Sequence, residues 1–244
     1  MTVEKLDLTN EGASLTAYIQ DPSPELPNFE KRPAMLVIPG GGYNFCSDRE
    51  GEPVALAFMA MGFNAFVLRY SIKENAAFPA PLNDAQEALE TIRKNSEKWH
   101  IDNSKVAAVG FSAGGHLCAA LSAMGRVKPN ASVLVYPCIL ESIGRILAKP
   151  IPSVEKYVDE TTPPTFIVAS REDTCVPIEN SLRYADALEK AGVDFEMHIF
   201  SKGYHGFSLA DSTVFSRVED VEYNKHLACW TALCETWLKK VFDF

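Results

Sequence analysis

"VAAVGFSAGGHLCAAL", residues 106–121, runs from an apolar strand-like stretch through a glycine-flanked serine into an apolar helix-like one. The pattern Gly110-Phe111-Ser112-Ala113-Gly114, with Gly115 next, surrounds Ser112 with small residues. A serine held on a sharp strand-to-helix turn needs such neighbours, because its backbone is strained and other chain runs close by. An ordinary small-residue turn has the same composition. The rest of the chain decides between the two.

Working outward, "AMLVIPG" (34–40), "NAFVLRY" (64–70), "KVAAVGF" (105–111), "ASVLVYP" (131–137), "PTFIVAS" (164–170) and "FEMHIF" (195–200) read as strands. Most are the continuous apolar runs of strands buried on both faces. Helical patterns lie between them. Residues 52–62 carry proline near the first turn and glycine at the end, and both are boundary signals. In 82–100, Ala85, Leu89, Ile92 and Trp99 recur near helical spacing. Residues 180–192 close on Gly192, and 224–242 form the last helix. Repeated β-α alternation implies a mostly parallel sheet with helices on both faces, because parallel neighbours need crossover connections. The fold class is α/β, and 244 residues suffice for one such domain over 1–244. Residues 138–163 break the alternation and read as a minimal lid-like insertion over the carboxyl edge of the sheet, where such folds bind ligands.

Composition narrows the function. A formal net charge of -9 disfavours nucleic acid and anionic membrane surfaces, and suits a neutral or weakly polar small molecule. The six cysteines form no CxxC pair, and several lie in apolar runs, which fits a reducing compartment. The N-terminus has neither a basic start nor an apolar core, and no apolar run is long enough to span a bilayer. These signs point to the cytoplasm. His, Cys and carboxylate spacings form no metal site, and no cofactor is called for.

"PGGGY", Pro39 to Tyr43, follows the first of these buried strands. Successive glycines leave backbone N–H groups unshielded and open conformations closed to other residues. Aimed at Ser112, the N–H groups of Gly41 and Gly42 would join that of Ala113 in an oxyanion hole. A phosphate cradle is the other use of such a run, but the lysine-serine/threonine ending of a P-loop is missing. The serine also needs a base. Of five histidines, His100 ends a helix, His116 points down the helix after Ser112, His198 lies in a strand and His226 in the last helix. His205, on the glycine-flanked "KGYHGF" loop after the last strand, can reach the carboxyl edge. Asp173, just after "PTFIVAS", is the carboxylate that would orient it, with Glu172, Asp211 and Asp194 as rivals. Ser112, Asp173, His205 is the chain order of an α/β-hydrolase.

On "PGGGYNFCSDREGEPVA", "GFSAGGHL", "TPPTFIVASREDTCVP" and "GYHGF", the sequence resembles the α/β-hydrolase superfamily over nearly its whole length. More narrowly it is similar to small bacterial acetyl esterases, of the acetyl xylan esterase and feruloyl-esterase-like group. Pro39 stands where many relatives with a related glycine motif have histidine. The resemblance implies a serine esterase acting on short acyl esters of sugars, with no cofactor. Aryl or feruloyl esters, or an arylformamide, are alternative substrates on the same fold, and a catalytically dead binding protein is an alternative of another kind. Tyr43, Phe45, Phe78, Val176 and Phe207 lie on loops expected around Ser112 and are candidate substrate contacts. Arg49 and Glu50 either brace the glycine loop or form the solvated start of the next helix. An exposed edge strand or the final helix would serve a homodimer.

Overall fold

Along β3 (Arg32–Ile38), Met35 and Val37 face one side of the sheet, and Ala34, Leu36 and Ile38 face the other. All five are fully buried, which is why this stretch of the strand is apolar and not alternating. The structure, a computed structural model, describes residues 1–244 apart from the side chain of Asn28. Among the described residues the sheet has eight strands: β1 (Thr2–Asp7), β2 (Ser14–Ile19), β3, β4 (Asn64–Arg69), β5 (Ile101–Phe111), β6 (Ala131–Val135), β7 (Thr165–Ser170) and β8 (Phe195–Phe200). Their order across the sheet is β1-β2-β4-β3-β5-β6-β7-β8. β4, β5, β6, β7 and β8 run parallel with β3. Beneath Leu36 and Ile38 pack α2 (Ala80–Lys94), α3 (Ser112–Met124) and α4 (Glu179–Ala191), through Leu89, Leu117, Leu121 and Leu188. On the Met35 face pack α1 (Glu52–Ala60) and α6 (Trp230–Phe242), through Val54, Phe58, Trp230 and Leu238. This is the α/β architecture expected from the alternation.

Four details differ from the sequence reading. β1 and β2 extend the sheet as antiparallel strands at the β4 edge. β1 is polar and largely exposed, so its strand signal is weak, as suits an edge that must not recruit another chain. α2 ends at Lys94; the following turn carries Trp99 into the core and leaves His100 at φ 52°. The helix expected over 224–242 is α-helical only from Trp230, as α6, after a short turn at Leu227–Cys229, and an unexpected helix, α5 (Val218–Asn224), precedes it. At the break, the Asn224 amide donates to the Asp220 carbonyl and accepts the Tyr204 N–H, so the side chain ends α5 and ties it to the loop after β8. Finally, β5 begins four residues earlier than expected, with an irregular register against Arg32–Ala34. No helix of the described residues is long and apolar enough to cross a membrane.

Leu36, at the centre of the sheet, is fully buried. Leu36→Ala should cost about 2–5 kcal/mol, the range for an interior leucine whose cavity cannot collapse, read as a lower urea midpoint with an unchanged slope.

Candidate active site

Parallel strands discharge their loops at one edge, so the residues after β3, β5, β6, β7 and β8 are neighbours in space. Ser112 follows β5 directly, at φ 52°, in the left-handed region that a side chain enters only at a cost. The neighbouring glycines explain how this turn fits. A Cβ on Gly114 would lie 2.2 Å from the Ile38 carbonyl oxygen, and one on Gly110 would lie 2.2 Å from that of Gly114. Gly115 would meet Pro137 at 2.8 Å. The first turn of α3 is thus pressed onto the ends of β3 and β6.

The Ser112 Oγ lies 2.8 Å from His205 Nε2, and His205 Nδ1 lies 2.6 Å from Asp173 Oδ2. A carboxylate at Nδ1 fixes the proton there and leaves Nε2 free to accept from the hydroxyl. Asp173 Oδ1 accepts the backbone N–H groups of Cys175 and Val176 at 2.9 and 2.8 Å, which holds the carboxylate in place from its other side. The structure therefore brings the three sequence-selected residues together. The rivals lie elsewhere: Glu172 accepts from the Tyr223 hydroxyl, His198 meets Glu196, and His116 bonds to Tyr43 and Pro152.

Around Ser112 the glycine run bends sharply, with Gly41 at φ 126° and Gly42 at φ 62°. Among the described residues, the N–H groups of Gly41 and Gly42 have no protein acceptor. Ala113 begins α3, where an N–H has no intrahelical partner. All three expected oxyanion donors are therefore free. Gly40 is not: its N–H donates to Glu50 Oε2 at 2.8 Å, so the donor set excludes the first glycine of the run.

A cavity of about 320 Å³ opens over Ser112 and is lined by Gly41, Gly42, Phe45, Arg49, Ile146, Leu147, Cys175 and His205, among others. Of the five candidate substrate contacts, Phe45 alone is on this wall. Tyr43 is buried with its hydroxyl 2.8 Å from His116 Nδ1. Phe207 is buried and packs edge-on against Tyr136, and Val176 is buried beneath Asp173. Phe78 packs against His116. The correction has one cause: apolar loop residues turn beneath a site more often than into it. Ile146 and Leu147, from the irregular insertion, supply the apolar wall instead. Neither periodicity nor a motif marks them in the sequence. The insertion is also joined to the glycine loop, since the Ala148 N–H donates to the Gly42 carbonyl at 2.8 Å.

Two further groups are set by burial. The Cys138 thiol, 4.0 Å from Ser112 Oγ, is pushed up to about 12 by desolvation and stays protonated beside the serine. His116 is pushed down to about 4 by desolvation, against the pull of its bond to the Pro152 carbonyl. Its Nε2–H donates to that carbonyl, and Nδ1 accepts from the Tyr43 hydroxyl, so a neutral imidazole links α3, the glycine loop and the insertion.

Comparison with known proteins places this geometry. A family model described as BD-FAE matches residues 25–134, and one described as the prolyl oligopeptidase family matches 147–223. The chain is 44% identical to MGS-M1, an α/β-hydrolase enzyme from a Medee basin deep-sea metagenome library; the TM-score is 0.94, over 100% of this chain and 99% of that one. It is 38% identical to endo-1,4-beta-xylanase B of Butyrivibrio fibrisolvens, over 80% of this chain and 35% of that protein. With an acetylxylan esterase of Xylanibacter ruminicola the identity is 28%, over 84% of this chain and 46% of the relative. The chain thus spans about a third to a half of these curated relatives.

The His116 shift carries a pH dependence. The unfolded chain takes up a proton near the ordinary value of 6.5, whereas the folded chain does so only near 4. The contribution of His116 to stability is therefore complete above pH 6.5 and is lost as pH falls towards 4, about 3 kcal/mol in all. Urea unfolding between pH 7 and 4 should show this loss, and His116→Gln should flatten it.

Proposed function

The chain belongs to the α/β-hydrolase family, and on that premise we propose that it is a serine esterase that removes short acyl groups, acetyl above all, from sugars such as xylo-oligosaccharides. The observation that carries the reading is the continuous path Ser112 Oγ–His205 Nε2, His205 Nδ1–Asp173 Oδ2, beside three unclaimed backbone donors. His205 takes the Ser112 proton as Oγ attacks the ester carbonyl. The resulting oxyanion meets the N–H groups of Ala113, Gly41 and Gly42, and such a donor typically contributes about a hundredfold or more in rate. His205 then passes its proton to the departing alcohol, leaving an acyl-serine. Water repeats the sequence and releases the acid. Asp173 holds the imidazole in the required tautomer throughout.

The modest cavity and the side chains of Ile146 and Leu147 beside Ser112 support a small acyl group. Similarity to an acetylxylan esterase and to a xylanase supports a plant-polysaccharide ester as substrate. Aryl esters and formamides are the alternative substrates on the same machinery.

Acetate release from acetylated xylo-oligosaccharides should be readily measured for the wild type and should fall by at least about 10⁴-fold in Ser112→Ala with folding intact. Release that survives the substitution overturns the assignment of the nucleophile. A wild type silent on acetylated sugars but active on aryl acetates moves the alcohol half of the substrate and keeps the mechanism.

A further inference from the structure

Beneath the glycine loop lies a carboxylate that these acyl-transfer steps leave unused. Glu50 is 3% exposed, although Asp48 and Arg49 of the same short turn are exposed. Its Oε2 accepts the Gly40 N–H at 2.8 Å and its Oε1 accepts the Tyr136 hydroxyl at 2.7 Å. Both donors are neutral. Desolvation raises its carboxyl above the ordinary range, against the opposing pull of those two bonds, of His205 and, least, of Arg49. A buried carboxylate on two neutral donors is a poor stabiliser, since two such bonds do not repay the loss of hydration. Structural bracing alone does not account for a charge at this position.

The surroundings give the charge a direction. Tyr136, whose hydroxyl is on Glu50, packs edge-on against the His205 ring with centroids 5.0 Å apart. Glu50 and His205 line the same cavity. A Cβ on Gly40 would lie 2.8 Å from Glu50 Oε2 and 2.9 Å from the Ser112 Cβ, so carboxylate and serine flank one α-carbon. The other ionisable groups around His205 are Asp173 on Nδ1, exposed Arg49 and Cys175 on the cavity wall, the protonated Cys138 beside Ser112, and the phenol of Tyr136.

The geometry points to Glu50 as a positioning residue with an electrostatic task. It fixes the Gly40 peptide from which the oxyanion loop departs, and its negative charge favours the imidazolium that forms on His205 when Ser112 gives up its proton. Asp173 supports that cation through Nδ1, and Glu50 supports it from beyond the Tyr136 ring. Because Glu50 and Tyr136 are buried, this fixed charge of the right sign lowers the barrier without any movement at the moment of reaction. The inference rests on the esterase reading above.

The test uses the full chain with a chromogenic acetate ester, measuring kcat, KM and the pH profile of kcat/KM. Glu50→Gln keeps an acceptor for the Gly40 N–H and removes the charge. It should lower kcat about tenfold or more with KM within about twofold, and move the acid limb of kcat/KM to lower pH, because the imidazolium loses a neighbouring negative charge. Glu50→Asp keeps the charge and gives up reach, so kcat falls while the acid limb stays; this variant decides the matter if Glu50→Gln fails to fold. A folded Glu50→Gln with wild-type kcat and an unmoved limb overturns the inference alone, as does a displaced limb in Glu50→Asp. Activity that survives in Ser112→Ala overturns the esterase reading and this inference with it.

Discussion

The contact between the first turn of α3 and the end of β3 governs the site. There is no room for a side chain at Gly114 against the Ile38 and Pro39 carbonyls, or at Gly110 against Gly114. That closeness holds Ser112 in the left-handed region and points its hydroxyl out of the sheet edge towards His205. It also brings the free N–H of Ala113 beside the glycine run of the neighbouring strand. Ser112 and the unclaimed N–H groups are therefore placed by one packing event. A strained residue persists only where its surroundings over-determine it, and here two parallel strands and a helix do so.

A second layer of polar contacts keeps the loops in register. Tyr136, just past β6 and at φ 41°, bonds to Glu50 on one side and accepts the Ser208 N–H on the other. Ser208 in turn donates to the Arg49 carbonyl, and Trp230 of α6 donates to the Ser208 carbonyl. The loops after β3, β6 and β8 are thus joined to each other and to the last helix by buried and half-buried hydrogen bonds. Each costs free energy if left unmade, so the arrangement is specific as well as stable.

The parts of this arrangement legible in the sequence are those fixed by topology. Ser112, Asp173 and His205 each follow an apolar strand run, and parallel strands put those positions on one edge whatever the side-chain packing. Chain order then separated His205 from four other histidines. What sequence could not convey is which way a loop side chain turns. Tyr43 and Phe45 are two residues apart on one loop, yet the first is buried against His116 and the second is exposed at the cavity. For Glu50, in the charged run "SDRE", the sequence leaves bracing of the glycine loop and exposure to solvent both open; the fold decides, by bringing the Tyr136 hydroxyl and the Gly40 N–H to it. β1 and the break before α6 were obscured for a related reason, since edge exposure and a capping asparagine override periodicity.

The insertion over the site has bonds on two sides. Ala148 is tied to Gly42, and Pro152 is tied through His116 to Tyr43, so residues flanking the apolar wall are anchored to the loop that carries the unclaimed N–H groups of Gly41 and Gly42. A segment fastened in this way is masonry and not a door. Swinging it aside would break the Ala148–Gly42 bond and disturb the glycine loop. On the proposed function, substrate reaches Ser112 along the flank lined by exposed Phe45 and Arg49. On the same reading, the tethered wall of Ile146 and Leu147 sets which acyl groups fit beside Ser112.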